Sequence, residues 1–138
     1  MKKLFATTLL LFPGFALAQV PLAARDADEV KAVVEAQLDA FRHDDAARAF
    51  AYAAPDIQKT FGTPERFIEM VKSAYAVVYR PHNVSFEAPA AIDGEVFQPV
   101  RMTDAEGHAW IAIYPMTRVD GRWRINGCQL GRVAAQEV

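Results

Sequence analysis

The chain has 138 residues, with 15 Lys and Arg against 17 Asp and Glu, three His and one Cys. That length suits a single hydrophobic core. One cysteine excludes an intramolecular disulfide framework, and the near-balanced charge excludes a strongly basic nucleic-acid-binding surface.

The first residues, MKKLFATTLLLFPGFALA, give two lysines, an apolar run from Leu4 and small residues at Ala16 and Ala18. This is the order of a secretory signal peptide, predicted over residues 1–18 with the cut after Ala18. The apolar run is broken at Pro13-Gly14 and is shorter than the roughly 20 residues of a membrane-spanning helix. No cysteine follows the cut for lipid attachment. A soluble, periplasmic or secreted product from Gln19 onward is therefore expected, with no membrane span. Loss of Lys2 and Lys3 leaves 13 basic against 17 acidic side chains, a formal charge of -4. Arg118, Arg122 and Arg124 form the densest basic group, which reads as a solvated hairpin end. No nucleic-acid partner is expected.

Residues 19–25 read as an N-terminal tether, 26–132 as a single domain and 133–138 as a C-terminal tail. Asp26 with Glu29 has the spacing of a helix start. Val30, Val33, Val34, Gln37, Leu38 and Phe41 then place one stripe on one helical face. Asp44 and Asp45 can cap a second helix through Ala46, Ala49, Phe50 and Ala53, ended or restarted by Pro55. Asp56 to Phe61 is a helical turn closed by Gly62. Thr63-Pro64-Glu65 supplies a cap, a first-position proline and an early acid for a helix with Phe67, Met70, Val71 and Ala74 inward. Four helical pieces are predicted.

Beyond Pro81 the period changes to that of half-buried strands: Val84 and Phe86, then Val96, Gln98, Val100 and Met102. Ala109 to Arg118 is apolar on both faces and asks for cover on both sides. Turns at Asp93-Gly94, Asp104 to Gly107 and Asp120-Gly121 indicate an antiparallel meander. The fold class is α+β: N-terminal helices on a curved antiparallel sheet of about four strands, a cone whose mouth is the place for a small-molecule pocket.

The segment WRINGCQL holds the lone cysteine. Asn126-Gly127 is either a hairpin tip or a β-bulge. A hairpin leaves arms of about three residues, short for strands. Counting outward from the Asp120-Gly121 turn pairs Met116 with Ile125 and Pro115 with Asn126, and proline offers no N–H to the ladder. A bulge there aligns Trp123, Ile125, Cys128 and Leu130 on the helix-facing side, with Cys128 near Tyr114. No sequence neighbour of Cys128 is cationic, so a buried, inert thiol is expected. An intermolecular disulfide and a redox or nucleophilic thiol are the alternatives.

No nucleophile elbow, phosphate-binding glycine loop or dinucleotide fingerprint is present. His43-Asp44-Asp45 and Asp104 to His108 lack the convergence or spacing of metal ligands, and no metal or cofactor is expected. Asp39, Asp45 and Glu69 read as solvated. Catalytic residues are not assigned. Tyr52, Tyr75, Trp110, Tyr114, Trp123 and Cys128 are the candidate pocket-lining residues, because aromatic side chains line a cavity while keeping a polar tip.

Three segments, FGTPERFIEMVKSAYAVVYRP, DAEGHAWIAIYPM and GRWRINGCQL, resemble the exported bacterial family known as domain of unknown function 4864. The resemblance covers most of the mature chain, and departs at Ala76-Val77, where the pattern has prolines. It implies the nuclear-transport-factor-2-like, cystatin-like class of cone, which hosts isomerases, dehydratases and cyclases as well as binding and dimerisation domains. The expectation is a non-enzymatic module for a small apolar ligand in the cone, or for a protein partner on the sheet, including a homodimer. The alternative is an isomerase- or dehydratase-like enzyme with Tyr52, Tyr75 or Tyr114 donating to a substrate oxygen.

Overall fold

The computed structural model describes residues 19–134; the predicted signal peptide and residues 135–138 of the predicted tail lie outside the described residues. The order is β1 (Gln19–Pro21), α1 (Ala24–Arg42), α2 (Ala46–Ala51), α3 (Pro55–Phe61), α4 (Pro64–Ala74) and α5 (Ala76–Tyr79). The strands β2 (Asn83–Phe86), β3 (Ala90–Ile92), β4 (Glu95–Thr103), β5 (Ala109–Val119), β6 (Arg122–Ile125) and β7 (Gln129–Arg132) follow. The helices pack against one antiparallel sheet of seven strands, not about four. The difference arises because β1 occupies the stretch expected as a tether, β3 is too short to show alternation, and the final strand is divided in two. Among the described residues no helix is long and apolar enough to cross a membrane.

The stripe on α1 buries Val30, Val34, Gln37, Leu38, Ala40 and Phe41. Burial of a side chain such as Phe41 contributes about 1.5–3 kcal/mol. The helix begins earlier than expected: Ala23 occupies the cap without a side-chain bond, and Asp26 sits in the first turn. There its charge favours the helix N-terminus and meets Arg118 Nη2 at 2.5 Å. Asp45 does cap α2, accepting from the Arg48 N–H at 3.1 Å. Asp44, expected to share that role, has φ +53 and instead accepts two bonds from Arg80 at 3.2 Å. Thr63 caps α4 by accepting from the Arg66 N–H at 3.2 Å. Phe67, Ile68 and Val71 face the core from α4, whereas Ala74, expected inward, is exposed. After Tyr75 the chain bends into a fifth helical piece, Ala76–Tyr79.

Asp93-Gly94 and Asp120-Gly121 form tight turns with positive φ at both residues (52° and 79°; 53° and 79°). This geometry matches the twist of the flanking strands. The β4–β5 hairpin is the centre of the sheet, paired from Val96↔Met116 to Thr103↔Ala109. Along the outer edge of β4 run β2 and β3, with β1 beyond β3. Along the outer edge of β5 run β6 and β7. Gln98, Val100, Met102, Ala112, Tyr114 and Met116 are buried on the helix-facing side. Ala54 N–H donates to the Ile125 carbonyl and Ile125 N–H to the Tyr52 carbonyl, both at 2.8 Å, which ties the α2–α3 connection to β6.

Candidate functional site

The site begins with a change of register. β6 pairs with β5 through Met116↔Ile125, and β7 resumes at Ile113↔Gln129. Three residues, Asn126 to Cys128, thus face two, Tyr114 and Pro115, as a one-residue bulge requires. The Asn126 N–H donates to the Pro115 carbonyl at 2.7 Å. Gly127 has φ +129, a conformation open to glycine. The extra residue turns Cys128 to the helix-facing side, where its thiol faces Tyr114. Tyr75, at the α4–α5 bend, donates its hydroxyl to the Cys128 carbonyl at 3.2 Å.

A cavity of about 240 Å³ lies between this bulge and the helices. Gln37 and Phe41 come from α1, Ile57 and Phe61 from α3, and Phe67, Met70 and Val71 from α4. Tyr75, Val78, Tyr114, Ile125 and Cys128 complete most of the wall, and among the described residues no carboxylate, His, Lys or Arg lines it. Aromatic contacts set the helical side: Phe67 lies 5.5 Å from Phe50, 5.9 Å from Phe61 and 6.2 Å from Phe41, centroid to centroid.

Besides Tyr75, three polar side chains interrupt the apolar wall. Gln37 is 3 % exposed, and its Nε2 donates to the Ala49 carbonyl at 3.0 Å. Tyr114 is 1 % exposed, and its hydroxyl makes no hydrogen bond of normal geometry. Burial, with the Cys128 thiol beside it, pushes the Tyr114 phenol well above its ordinary value. Burial likewise pushes the Cys128 thiol up to about 12, partly offset by the Tyr114 hydroxyl. Both groups are therefore neutral at pH 7, and the thiolate needed for nucleophilic or redox chemistry is suppressed.

A protein-family model described as "Domain of unknown function (DUF4864)" matches residues 23–138. The chain belongs to the DUF4864 family. No curated protein and no solved structure matches it. The match takes in every element from α1 to β7, so the bulge and both walls of the cavity fall inside the DUF4864 domain.

Of the six side chains expected to line a pocket in this DUF4864 domain, Tyr75, Tyr114 and Cys128 meet in the cavity. Trp110 lies with Arg80, Asp104 and the other side of Tyr75 in a more polar groove. Tyr52 and Trp123 face a third groove with Arg122 and Arg124. Gln37, Phe41, Phe61 and Phe67 belong to the cavity although the sequence presents Gln37, Phe41 and Phe67 only as stripe or inward residues and Phe61 only as the end of a helical turn. Their shared location depends on how α1, α3 and α4 cross, and no single stretch of sequence encodes that.

Other charged groups have structural partners. Asp104, Glu106 and His108 bring ligand atoms within 4.8 Å of one another. However, the Asp104 carboxylate already accepts from the Glu106 N–H at 3.0 Å, the His108 N–H at 2.9 Å and Trp110 Nε1 at 3.0 Å. The Trp110 indole, then these backbone donors, hold the carboxyl well below its ordinary range and close the β4–β5 turn. Asp39 is lowered chiefly by Arg48, at 3.0 Å. Arg118 binds Asp26 and stacks over the Trp123 ring at 4.7 Å, which removes one member of the basic group from any external role.

Proposed function

We propose that this DUF4864 protein is an exported, non-enzymatic binding module of the nuclear-transport-factor-2-like, cystatin-like kind. Its ligand is a small apolar molecule held between the bulge and the helices. The single observation that carries this reading is the cavity of about 240 Å³, walled by aromatic and aliphatic side chains and free of charged ones. Export is argued from the order of charged, apolar and small residues before Gln19, and the periplasm or the exterior is the proposed location. General acid–base catalysis in the cavity would need a group that titrates near neutrality. Its Tyr114 and Cys128 are both held protonated by burial, which favours binding over the isomerase-like alternative.

NMR titration with one-ring apolar compounds tests the reading. Saturable shifts are expected at Phe67, Tyr114 and Cys128, and Met70→Trp, at a half-exposed position of the wall, should abolish them. Shifts scattered over the surface, or none, would sink the proposal. The outer sheet face supports a second copy as partner: Phe97, Pro99, Ile111, Ile113 and Pro115 are half-buried there with no layer over them among the described residues. Light scattering that finds only monomer at millimolar concentration would remove the dimer.

A further inference from the structure

We infer that Gln19 is a modification site: once the leader is cut away, its side chain closes on its own α-nitrogen, and β1 begins in a neutral pyroglutamyl ring. This rests on the export reading above, which makes Gln19 the first residue of the mature chain. Glutamine carries its amide carbon, Cδ, at the distance from the α-nitrogen that a lactam ring needs. The neutral α-amine attacks Cδ and forms the new N–Cδ bond. The Cδ–Nε2 bond breaks, and the amide nitrogen leaves as ammonia with the proton that the amine gives up. No oxidant, reductant or second substrate is consumed. Because an α-amino group titrates at about pH 8, a fraction of it is in the reactive neutral form at pH 7.

The fold leaves this side chain accessible and gives the product a place. Gln19, Val20 and Pro21 are all exposed. Their pairing with Ile92, Ala91 and Ala90 puts Gln19 on the end rung of the strand. Gln19 borders a groove on the outer sheet face with Ala90, Ile92, Phe97, Pro99 and Ile113. Among the described residues Glu87 is the one charged side chain in that wall, and Arg101 already pairs with it. A terminal ammonium would therefore stand beside apolar surface whose carboxylate is taken. Ring closure removes the ammonium and the primary amide together, leaving one N–H, one carbonyl and methylenes that suit the groove. The mature chain then presents no free α-amine to aminopeptidases.

Intact-mass spectrometry of the full chain, expressed with its leader and recovered from the exported fraction, tests this. The expected product starts at Gln19, is lighter by the mass of one ammonia, and resists N-terminal sequencing until pyroglutamyl aminopeptidase removes the ring. Gln19→Ala, at an exposed position, should carry no such loss and give a readable terminus. NMR of the cyclised protein should show contacts from the ring methylenes to Ile92 or Phe97; their absence would overturn the seat in the groove. A chain that starts at Gln19 and keeps its ammonia in neutral buffer would overturn the cyclisation and leave export standing. Loss of ammonia that persists in Gln19→Ala would assign it to another site, such as Asn126-Gly127, and overturn the cyclisation equally. A chain that starts at another residue, or keeps its leader, would overturn the predicted cut and this inference together.

Discussion

The two outer edges of the central hairpin carry the same backbone device. On the β5 edge, Asn126 to Cys128 oppose Tyr114-Pro115, and the Asn126 N–H binds the Pro115 carbonyl at 2.7 Å. On the β4 edge, Glu87 to Pro89 oppose Gln98-Pro99, and the Glu87 N–H binds the Pro99 carbonyl at 3.1 Å. Gln98 and Tyr114 are cross-strand partners, both fully buried. The breaks differ in what satisfies them. Gln98 Nε2 reaches the Glu87 carbonyl at 2.7 Å and the Pro99 carbonyl at 2.8 Å, so that bulge is completed from within the sheet. The Cys128 carbonyl is met instead by Tyr75 from the helices, with space left behind it. One device closes the sheet, and its twin props it open.

Deleting the extra residue on each side is the strongest way to break this comparison. Loss of Gly127 returns the ladder to even register with Cys128 still opposite Tyr114, and removes the bend at Asn126 to Cys128 that borders the cavity, which should cost more than about 2 kcal/mol in urea unfolding. Loss of Ala88 moves only the short β3 and β1 edge and should cost less than about half as much. Equal losses would show that the two breaks are equivalent. A milder probe removes what completes each bulge. Gln98→Leu leaves the Glu87 carbonyl without its donor and should cost about 1–2 kcal/mol, while Tyr75→Phe, beside an open cavity that water can enter, should cost under about 1 kcal/mol. A larger loss for Tyr75→Phe would reverse the assignment of closed and open sides.

The smallest expected effect is on pH dependence. Because burial raises the Cys128 thiol from 9.0 to about 12, the folded state holds a proton that the unfolded chain releases above pH 9. This contribution is complete below pH 9 and is lost as pH rises toward 12, amounting to about 1 kcal/mol by pH 10. Cys128→Ala should flatten the slope of stability against pH over that range. Thiol labelling of the native protein at pH 8 should be slow and become fast in denaturant; rapid native labelling would contradict a suppressed thiolate.

The β5-edge break is legible in the sequence because three signals agree: a turn at Asp120-Gly121 that sets the count, Pro115 that cannot donate, and Gly127 to accommodate the extra residue. Its twin has Pro99 but no readable count, since the extra residue lies among Ala88, Pro89, Ala90 and Ala91, where nothing alternates. The strand β1 is three exposed residues long and carries no pattern at all. Stripes and caps announce α1 and α4, yet the cap of α1 falls at Ala23, while Asp26 sits in the first turn and pairs with Arg118, remote in sequence. For the cavity, Tyr114 and Cys128 follow from register, whereas Gln37 enters through a bond to Ala49 that helix packing creates. Tyr52 and Trp123 show the converse: aromatic character marks a burial tendency and leaves the direction of burial to the fold.

The bonds that join Tyr52 and Ala54 to Ile125 also bear on the order in which the chain can fold. A chain made from its N-terminus completes α1 and α2 well before residues 122–125 exist, and closing contacts over so long a separation is slow. Throughout that interval the face of α1 that carries Val30, Val34 and Phe41 lacks its partner strands. Any truncation before Ile125 makes that interval permanent, and the same apolar stripe that organises the finished core becomes an adhesive surface.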